Sequence, residues 1–196
     1  MANTYLSRTQ GTGNRKTWTY SVWLKRSTLG TNQNWGITQE DAPNNNAMPC
    51  SFNTSDKIDW YDYNAPSVSG QLSTNRVFRD TSAWYHIVLA VDTTNATADD
   101  RMKMYVNGVQ ETSFATRVNP SLNYDFNINV NTKLCAIGAY YTSSPATYFD
   151  GSMSHINFID GTAELPTAFG EYDANGVWTI KTSPSVTYGT NGFFIL

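Results

Sequence analysis

The chain has 196 residues, of which 14% are aromatic and only 15% are charged, and its formal net charge is -3. Without a run of clustered Lys or Arg there is no electrostatic reason to expect nucleic-acid binding, and the uncharged runs fall far short of the roughly 20 residues of a membrane span. The opening residues 1–5 lack a basic region followed by an apolar stretch, so we expect no secretory signal and folding in a cytoplasm.

The first strong strand signal covers residues 17–25 (TWTYSVWLK), where apolar and polar residues alternate. Side chains point to opposite faces along a strand, so the pattern predicts a half-buried strand, with Trp23 as the exception on the second face. Residues 84–92 (WYHIVLAVD) have a continuous apolar centre, which predicts a central strand covered on both faces.

Residues 101–114 contain the clearest local motif of the chain. Asn107-Gly108 supplies the two positive-φ residues of a type I′ turn, and alternating sequence on both sides predicts a hairpin. In residues 152–159, strict alternation puts Ser154 on the same face as Ile156 and Phe158. Other strands are predicted at 35–37, 57–63, 134–138, 177–180 and 192–196, with one helical turn at 167–171.

Short strands at roughly ten-residue spacing, with no sustained helical period, indicate a single all-β domain over residues 1–196, a sandwich or a barrel. The absence of a signal favours reduced thiols at Cys50 and Cys135, with a disulfide as the alternative. Aromatic side chains and histidines inside strand patterns are usually packed against a sheet. We assign that position to Trp18, Trp23, Trp84, Trp178, His86 and His155.

Five segments occur in a familiar order: 18–25, 83–92 (AWYHIVLAVD), 104–108 (MYVNG), 137–138 and 149–158 (FDGSMSHINF). This order resembles the laminin G-like, concanavalin A-like lectin/glucanase superfamily. The resemblance implies an antiparallel two-sheet jelly-roll sandwich, a fold that carries many different functions.

Residues 5–9, 13–17, 77–86, 157–161, 169–171 and 188–193 resemble the variety of this domain found in marine bacteriophage and other aquatic viral structural proteins. That resemblance implies a virion protein, a tail-fibre or receptor-binding appendage that recognises host surface glycans. Its partners would be other virion proteins and further copies of itself, with a trimer expected. The alternative is a capsid-decorating or head-fibre protein that uses the fold for assembly only. A cellular carbohydrate-binding module is a third possibility, but it would need a secretion signal.

The glucanase branch of the superfamily hydrolyses sugars with carboxylates spaced Glu-x-Asp-x-x-Glu, because one group donates a proton while the other attacks or stabilises the sugar cation. None of the four glutamates fits that spacing. Asp59 and Asp62 come nearest, but side chains three apart point to opposite faces of a strand. No Gly-x-Ser-x-Gly elbow or Cys–His pairing is evident either. We therefore expect no enzymatic activity.

Sugar binding needs an aromatic platform together with fixed amide or carboxylate groups. Two stretches supply these groups, and we predict the ligand surface there. They are Asp59, Trp60, Tyr61, Asp62, Tyr63 and Asn64, and the pair Tyr140 and Tyr141. Calcium prefers clustered oxygen ligands, and the acidic loop with Asp92, Asp99 and Asp100 is the candidate metal site, with a polar connecting loop as the alternative.

Overall fold

The structure is a computed structural model that describes residues 3–39, 47–141 and 144–196. Two short 3₁₀ turns, Ala98–Asp100 and Pro166–Ala168, lie among the strands. No helix in these ranges has the length and apolarity that a membrane span requires. The strands are β1 Leu6–Thr9, β2 Thr17–Arg26, β3 Gln33–Asn34, β4 Ile37–Gln39, β5 Cys50–Phe52, β6 Lys57–Asn64, β7 Ser67–Val77, β8 Tyr85–Asp92, β9 Met102–Val106, β10 Val109–Gln110, β11 Phe114–Val118, β12 Leu134–Ile137, β13 Tyr140–Tyr141, β14 Pro145–Ala146, β15 Gly151–Asp160, β16 Gly170–Tyr172, β17 Trp178–Ile180 and β18 Phe193–Ile195.

Two large antiparallel sheets form a sandwich, which confirms the predicted fold. A six-stranded sheet has the order β10-β9-β8-β2-β15-β18, and a five-stranded sheet has the order β11-β7-β6-β5-β3. The described residues also form a three-stranded sheet, β1-β12-β4, and the two small pairs β13-β14 and β16-β17.

The inner faces of the two large sheets meet in one aromatic core. Trp18 of β2 packs edge-on against Trp60 of β6, with 5.9 Å between ring centroids, and against Phe126 at 5.7 Å. All three side chains are fully buried. Burying a large apolar side chain contributes roughly 1.5–3 kcal/mol, so these contacts hold the two sheets together.

The outer face of the six-stranded sheet is covered as well, which corrects the prediction of a half-buried β2. Phe169 packs there against Val88 and Ile159 in a second, smaller core. Under this cover Thr19 and Ser21 of β2 are also fully buried. Polar residues alternate with apolar ones here although they do not face solvent. Their hydroxyls form hydrogen bonds inside the protein, because a buried hydroxyl needs a partner.

Strand β15 contains an irregularity that changes which side chains share a face. The pairing with β2 shifts between Ser154 and Asn157, and His155 has a positive φ of 47°. An extra residue at a β-bulge reverses the alternation beyond it. Ser154 therefore pairs with Trp23 and lies away from Ile156 and Phe158, which are in the main core. The prediction that put Ser154 on the face of Ile156 and Phe158 is wrong for this reason.

Other local predictions have mixed outcomes. Asn107 and Gly108 have φ values of 50° and 81° between β9 and β10, which confirms the hairpin. The predicted strand at 35–37 is instead two short strands, β3 and β4, in different sheets. The predicted helical turn at 167–171 is a 3₁₀ turn followed by β16. Cys50 and Cys135 are buried free thiols, as expected.

Candidate functional site

A groove with a volume of about 310 Å³ opens on the outer face of the five-stranded sheet, beside β5 and β6. It brings together the two stretches in which the sequence predicted a ligand surface, since β6 contributes Asp59 and Tyr61 and β13 contributes Tyr140. The described residues that line it are Asn32, Asn34, Pro49, Ser51, Asn53, Asp59, Tyr61, Tyr140 and Thr147.

The floor of the groove follows from the alternation of β6. Trp60 points into the core, so its neighbours Asp59 and Tyr61 lie half-exposed on the opposite face. Gln71 of β7 donates a side-chain hydrogen bond of 2.9 Å to one carboxylate oxygen of Asp59. Ser51 of β5 pairs directly with Asp59 on the other side. The carboxylate is therefore oriented by its neighbours on a rigid sheet.

The wall of the groove is held by Asn34, a fully buried side chain of β3. Its amide donates to the carbonyl oxygen of Ala139 at 3.0 Å, directly before Tyr140. Its side-chain oxygen accepts a hydrogen bond of 3.0 Å from the backbone of Cys50. Its own backbone N–H donates to the carbonyl of Thr147 at 2.8 Å. One residue, through its side chain and its backbone, thus fixes the floor at β5 and the wall on both sides of the β13-β14 pair.

Both groove tyrosines are uncharged at neutral pH. Burial raises the pKa of Tyr61, and the neighbouring Tyr140 and Asp59 raise it further. Burial likewise raises the pKa of Tyr140. Each phenol therefore keeps its proton and is able to donate a hydrogen bond as well as accept one.

The groove combines two aromatic rings, one oriented carboxylate, and amide and hydroxyl groups from Asn32, Ser51, Asn53 and Thr147. Aromatic faces pack against the apolar C–H face of a sugar, while a carboxylate and amides hydrogen-bond its hydroxyl groups. This set of groups suits a polyhydroxylated ligand. Among the described lining residues Asp59 is the single ionisable carboxylate.

Several residues of the predicted ligand surface lie elsewhere. Trp60 and Asp62 are fully buried and do not reach the groove. Asn64 faces inward too, where its side-chain oxygen accepts a hydrogen bond from Asn127 at 3.1 Å. Tyr63 is half-buried outside the groove lining, and Tyr141 packs against Tyr5 with 6.1 Å between ring centroids.

Asp62 is a buried anchor with an unusual titration. It accepts hydrogen bonds from the Tyr124 hydroxyl at 2.6 Å and from the backbone N–H of Asn127 at 3.0 Å. Burial raises its pKa to about 6, although these donors and the charge of Arg15 act in the opposite direction. The residue ties β6 to the segment before β12, which is a structural role.

The predicted calcium ligands do not converge. Asp99 forms an ion pair with Arg117 at 3.2 Å, and Asp100 forms one with Lys103 at 2.9 Å. Asp92 accepts a hydrogen bond of 2.9 Å from the backbone of Thr94 in the adjacent turn. Across residues 3–39, 47–141 and 144–196, no group of three His, Cys, Asp or Glu residues is placed to hold a metal ion. Each carboxylate has a local partner, so the loop offers separate charges and no shared coordination site.

Sequence reasoning missed the polar residues that hold the groove in its shape. Asn34 and Gln71 were not singled out, because no local pattern shows that a residue from β3 or β7 contacts β13 or β6. The exposed position of Trp84 was also missed. That tryptophan lies just before β8 and is 41% exposed, so it does not belong to the core.

Solved structures with similar folds support the architecture. A heptameric serum amyloid P-like pentraxin from Limulus polyphemus matches 98% of this chain and 88% of its own, with a TM-score of 0.61 and 12% identity. A carbohydrate-binding module, CBM40, of the Ruminococcus gnavus IT-sialidase, bound to α2,3-sialyllactose, matches 78% of this chain and 91% of its own, with a TM-score of 0.52 and 12% identity. At such identities the likeness shows the fold alone.

A third similar structure is the enzymatically active domain of tailspike protein 2 of bacteriophage CBA120, with a TM-score of 0.53 and 10% identity. It covers 90% of this chain, whereas the chain spans 28% of that protein. No curated protein sequence matches the chain significantly.

The comparison with protein families gives the most specific result. The family model of the concanavalin A-like lectin/glucanases superfamily matches residues 2–164. This range includes every residue of the groove as well as most of both large sheets. The resemblance found in the sequence is confirmed, and the chain belongs to the concanavalin A-like lectin/glucanases superfamily.

Proposed function

We propose that this protein is a non-enzymatic carbohydrate-binding protein and that the groove holds the sugar. The observation that carries the proposal is the convergence of Asp59 and Tyr61 with Tyr140, about 80 residues away in the chain, on one rigid face of a lectin-type sandwich. The sialyllactose complex of the similar R. gnavus module supports it, since that sandwich also binds a glycan.

The first experiment is a glycan array with the purified protein, in calcium and in a chelator. Binding that survives the chelator supports the groove, which has its polar groups in place without a metal. Binding that is lost in the chelator would contradict a groove that holds the sugar without a metal.

The second experiment measures affinity for a glycan selected on the array. We expect Tyr61→Ala and Asp59→Asn each to weaken binding by about tenfold or more, because each removes a group that contacts the sugar, and a loss of about 1.4 kcal/mol corresponds to a tenfold change. Tyr63→Ala is the matched control, since Tyr63 lies on the same strand but outside the groove. Equal losses for Tyr61→Ala and Tyr63→Ala, or an array without binding, would contradict the proposal.

The proposal excludes hydrolysis. A two-carboxylate mechanism needs an acid on each side of the scissile bond, and Asp62 is on the buried face while Asp59 is on the exposed one. Incubating the selected glycan with micromolar protein, followed by chromatography of the products, tests this part. A shortened glycan that disappears with Asp59→Asn would overturn it.

We further propose that the protein is a virion appendage, a tail-fibre or receptor-binding component that recognises host surface glycans. Support comes from the segments that resemble aquatic viral structural proteins and from the similar fold in a bacteriophage tailspike. Labelling purified virus particles with an antibody against this chain tests the proposal of a virion appendage. Label at the tail supports attachment to the host, label spread over the capsid indicates a decorating protein, and unlabelled particles exclude a virion role.

A further inference from the structure

A second concave surface lies on the other side of the sandwich from the groove. It is an open pocket with a volume of about 420 Å³ on the outer face of the six-stranded sheet, and we call it the tryptophan pocket. Its lining is Trp23, Trp84, Ser154, Trp178, Thr179 and Ile180. The volume falls within the usual range of roughly 300–1,000 Å³ for small-molecule sites.

One wall of the tryptophan pocket is a fixed aromatic stack. His86 stacks on Trp23, with 4.8 Å between ring centroids and an interplanar angle of 12°. Trp178 lies edge to edge with His86, with 5.9 Å between centroids and 19° between the ring planes. The Trp178 indole donates to His86 Nδ1 at 2.9 Å, and Nε2 lies 2.9 Å from the Ser21 hydroxyl. An indole N–H only donates, so Nδ1 is the acceptor and Nε2 carries the proton. His86 is neutral, since burial lowers its pKa to about 3. The stack is therefore rigid and uncharged.

The second face of Trp23 is free to contact a ligand. In the six-stranded sheet Trp23 stands between His86 on β8 and Ser154 on β15. His86 covers one ring face, and the bulge at His155 places Ser154 on the outer side beside the other. Because a serine side chain is too short to cover an indole, that face looks into the pocket.

The polar character of the pocket points to a neutral ligand. The described lining contains no charged side chain, and its polar groups beyond the indoles are the hydroxyls of Ser154 and Thr179. The Ser154 hydroxyl lies 2.7 Å from His155 Nδ1 and the Thr179 hydroxyl donates to the carbonyl of Glu171 at 3.1 Å, so each oxygen keeps acceptor capacity for a ligand. An anion would find no basic group there, and a cation would find no carboxylate and only the indole faces to hold it. Indole faces with a few hydroxyls match a ring that has one C–H face and several neutral hydroxyl groups. Trp84, 41% exposed at the rim, adds a second aromatic contact.

We propose that the tryptophan pocket is a second carbohydrate-binding site, in which a neutral sugar ring stacks on the free face of Trp23 and against Trp84. The inference does not depend on the groove, because the two surfaces lie on opposite faces of the sandwich. Two sites on opposite faces would let one domain bind two separate polysaccharide chains at once, which increases avidity.

Indole N–H signals in a nuclear magnetic resonance spectrum of the ¹⁵N-labelled protein report on this pocket separately from the groove. None of the groove's lining residues is a tryptophan. We expect neutral oligosaccharides of glucose, galactose or mannose to shift the signals of Trp23, Trp84 and Trp178 saturably. The signals of the core residues Trp18 and Trp60 serve as internal references. If no such oligosaccharide shifts the pocket's signals at millimolar concentration, the proposal is overturned.

Variants separate the two sites. Ser154→Leu fills the space beside Trp23, and Trp84→Ala removes the rim ring without touching the core. We expect each to weaken the pocket's binding by roughly tenfold, whereas Tyr61→Ala in the groove leaves it unchanged. If Tyr61→Ala abolishes all binding and Trp84→Ala none, the groove proposal stands and this one fails. If the pocket's signals respond while Tyr61→Ala has no effect on any glycan, the reverse holds.

The competing occupant of the tryptophan pocket is a second copy of this chain. Sedimentation velocity of the wild type and of Trp84→Ala distinguishes a sugar site from an interface between copies. A wild-type oligomer that Trp84→Ala converts to monomers, with no change in sugar binding, would show an interface between copies and refute a sugar site here.

Discussion

The buried carboxylate of Asp62 gives a sharp test of how the two sheets are packed. Asp62 is fully buried and its pKa is raised to about 6 from an ordinary value of 3.8, chiefly because burial penalises the charged form. Asp62→Asn is the perturbation, since it keeps the size of the side chain and removes the titration.

The sign follows from proton binding. Between about pH 6 and pH 4 the folded state holds a proton on Asp62 that the unfolded chain has lost, so this group stabilises the fold as the pH falls. Raising a pKa from 3.8 to about 6 corresponds to about 3 kcal/mol. His86 acts in the opposite direction, because its pKa is lowered to about 3 and the unfolded chain takes up a proton first. The wild type and the Asp62→Asn variant both contain His86, so its contribution cancels when their free energies of unfolding are subtracted.

The assay is urea unfolding of wild type and Asp62→Asn at pH 7, 6, 5 and 4. The stability of the wild type relative to the variant is expected to grow as the pH falls, by up to about 3 kcal/mol over this range. A difference that stays constant within about 0.5 kcal/mol, or that shrinks at low pH, would refute the burial of this carboxylate between the sheets.

Two further predictions use matched pairs of variants in the same unfolding assay. Arg26 and Arg79 both bond Asp56 at 3.0 Å, but their side chains are 0% and 61% exposed. Arg26→Ala is expected to lower the free energy of unfolding by about 3–5 kcal/mol, because it removes the buried partner of a buried carboxylate. Arg79→Ala is expected to lower it by at most about 1 kcal/mol. Similar losses for the two variants would contradict this prediction. Leu72 is fully buried between the sheets, and Leu72→Ala is expected to lower the free energy of unfolding by about 2–5 kcal/mol. Val109→Ala, at a 61% exposed hairpin position, should change the free energy of unfolding by no more than about 0.5 kcal/mol. A larger loss for Val109→Ala than for Leu72→Ala would contradict the position of the core.

The fold was predictable because its signals are local. The alternation of β2 and the Asn107-Gly108 turn depend only on neighbours in the chain. The bulge at His155 was not predictable in the same way. A single extra residue leaves the composition of β15 unchanged, and only the pairing with β2 reveals that Ser154 and Ile156 lie on opposite faces.

The candidate site was predicted in its aromatic members and missed in its supporting ones. Tyr61 and Tyr140 could be selected because aromatic residues beside amides and acids are typical of sugar sites. Trp60 and Asp62 were selected with them, although strand alternation puts them on the buried face once the orientation of β6 is known. Asn34 could not be found, since its contacts at Cys50 and Ala139 are made only when distant strands come together.

A crystal structure of the protein with a glycan selected on the array tests the central claim most directly. We predict a sugar ring against Tyr61 and Tyr140, with one of its hydroxyl groups hydrogen-bonded to the carboxylate of Asp59. A glycan bound elsewhere on the sandwich, with this groove empty, would contradict the account.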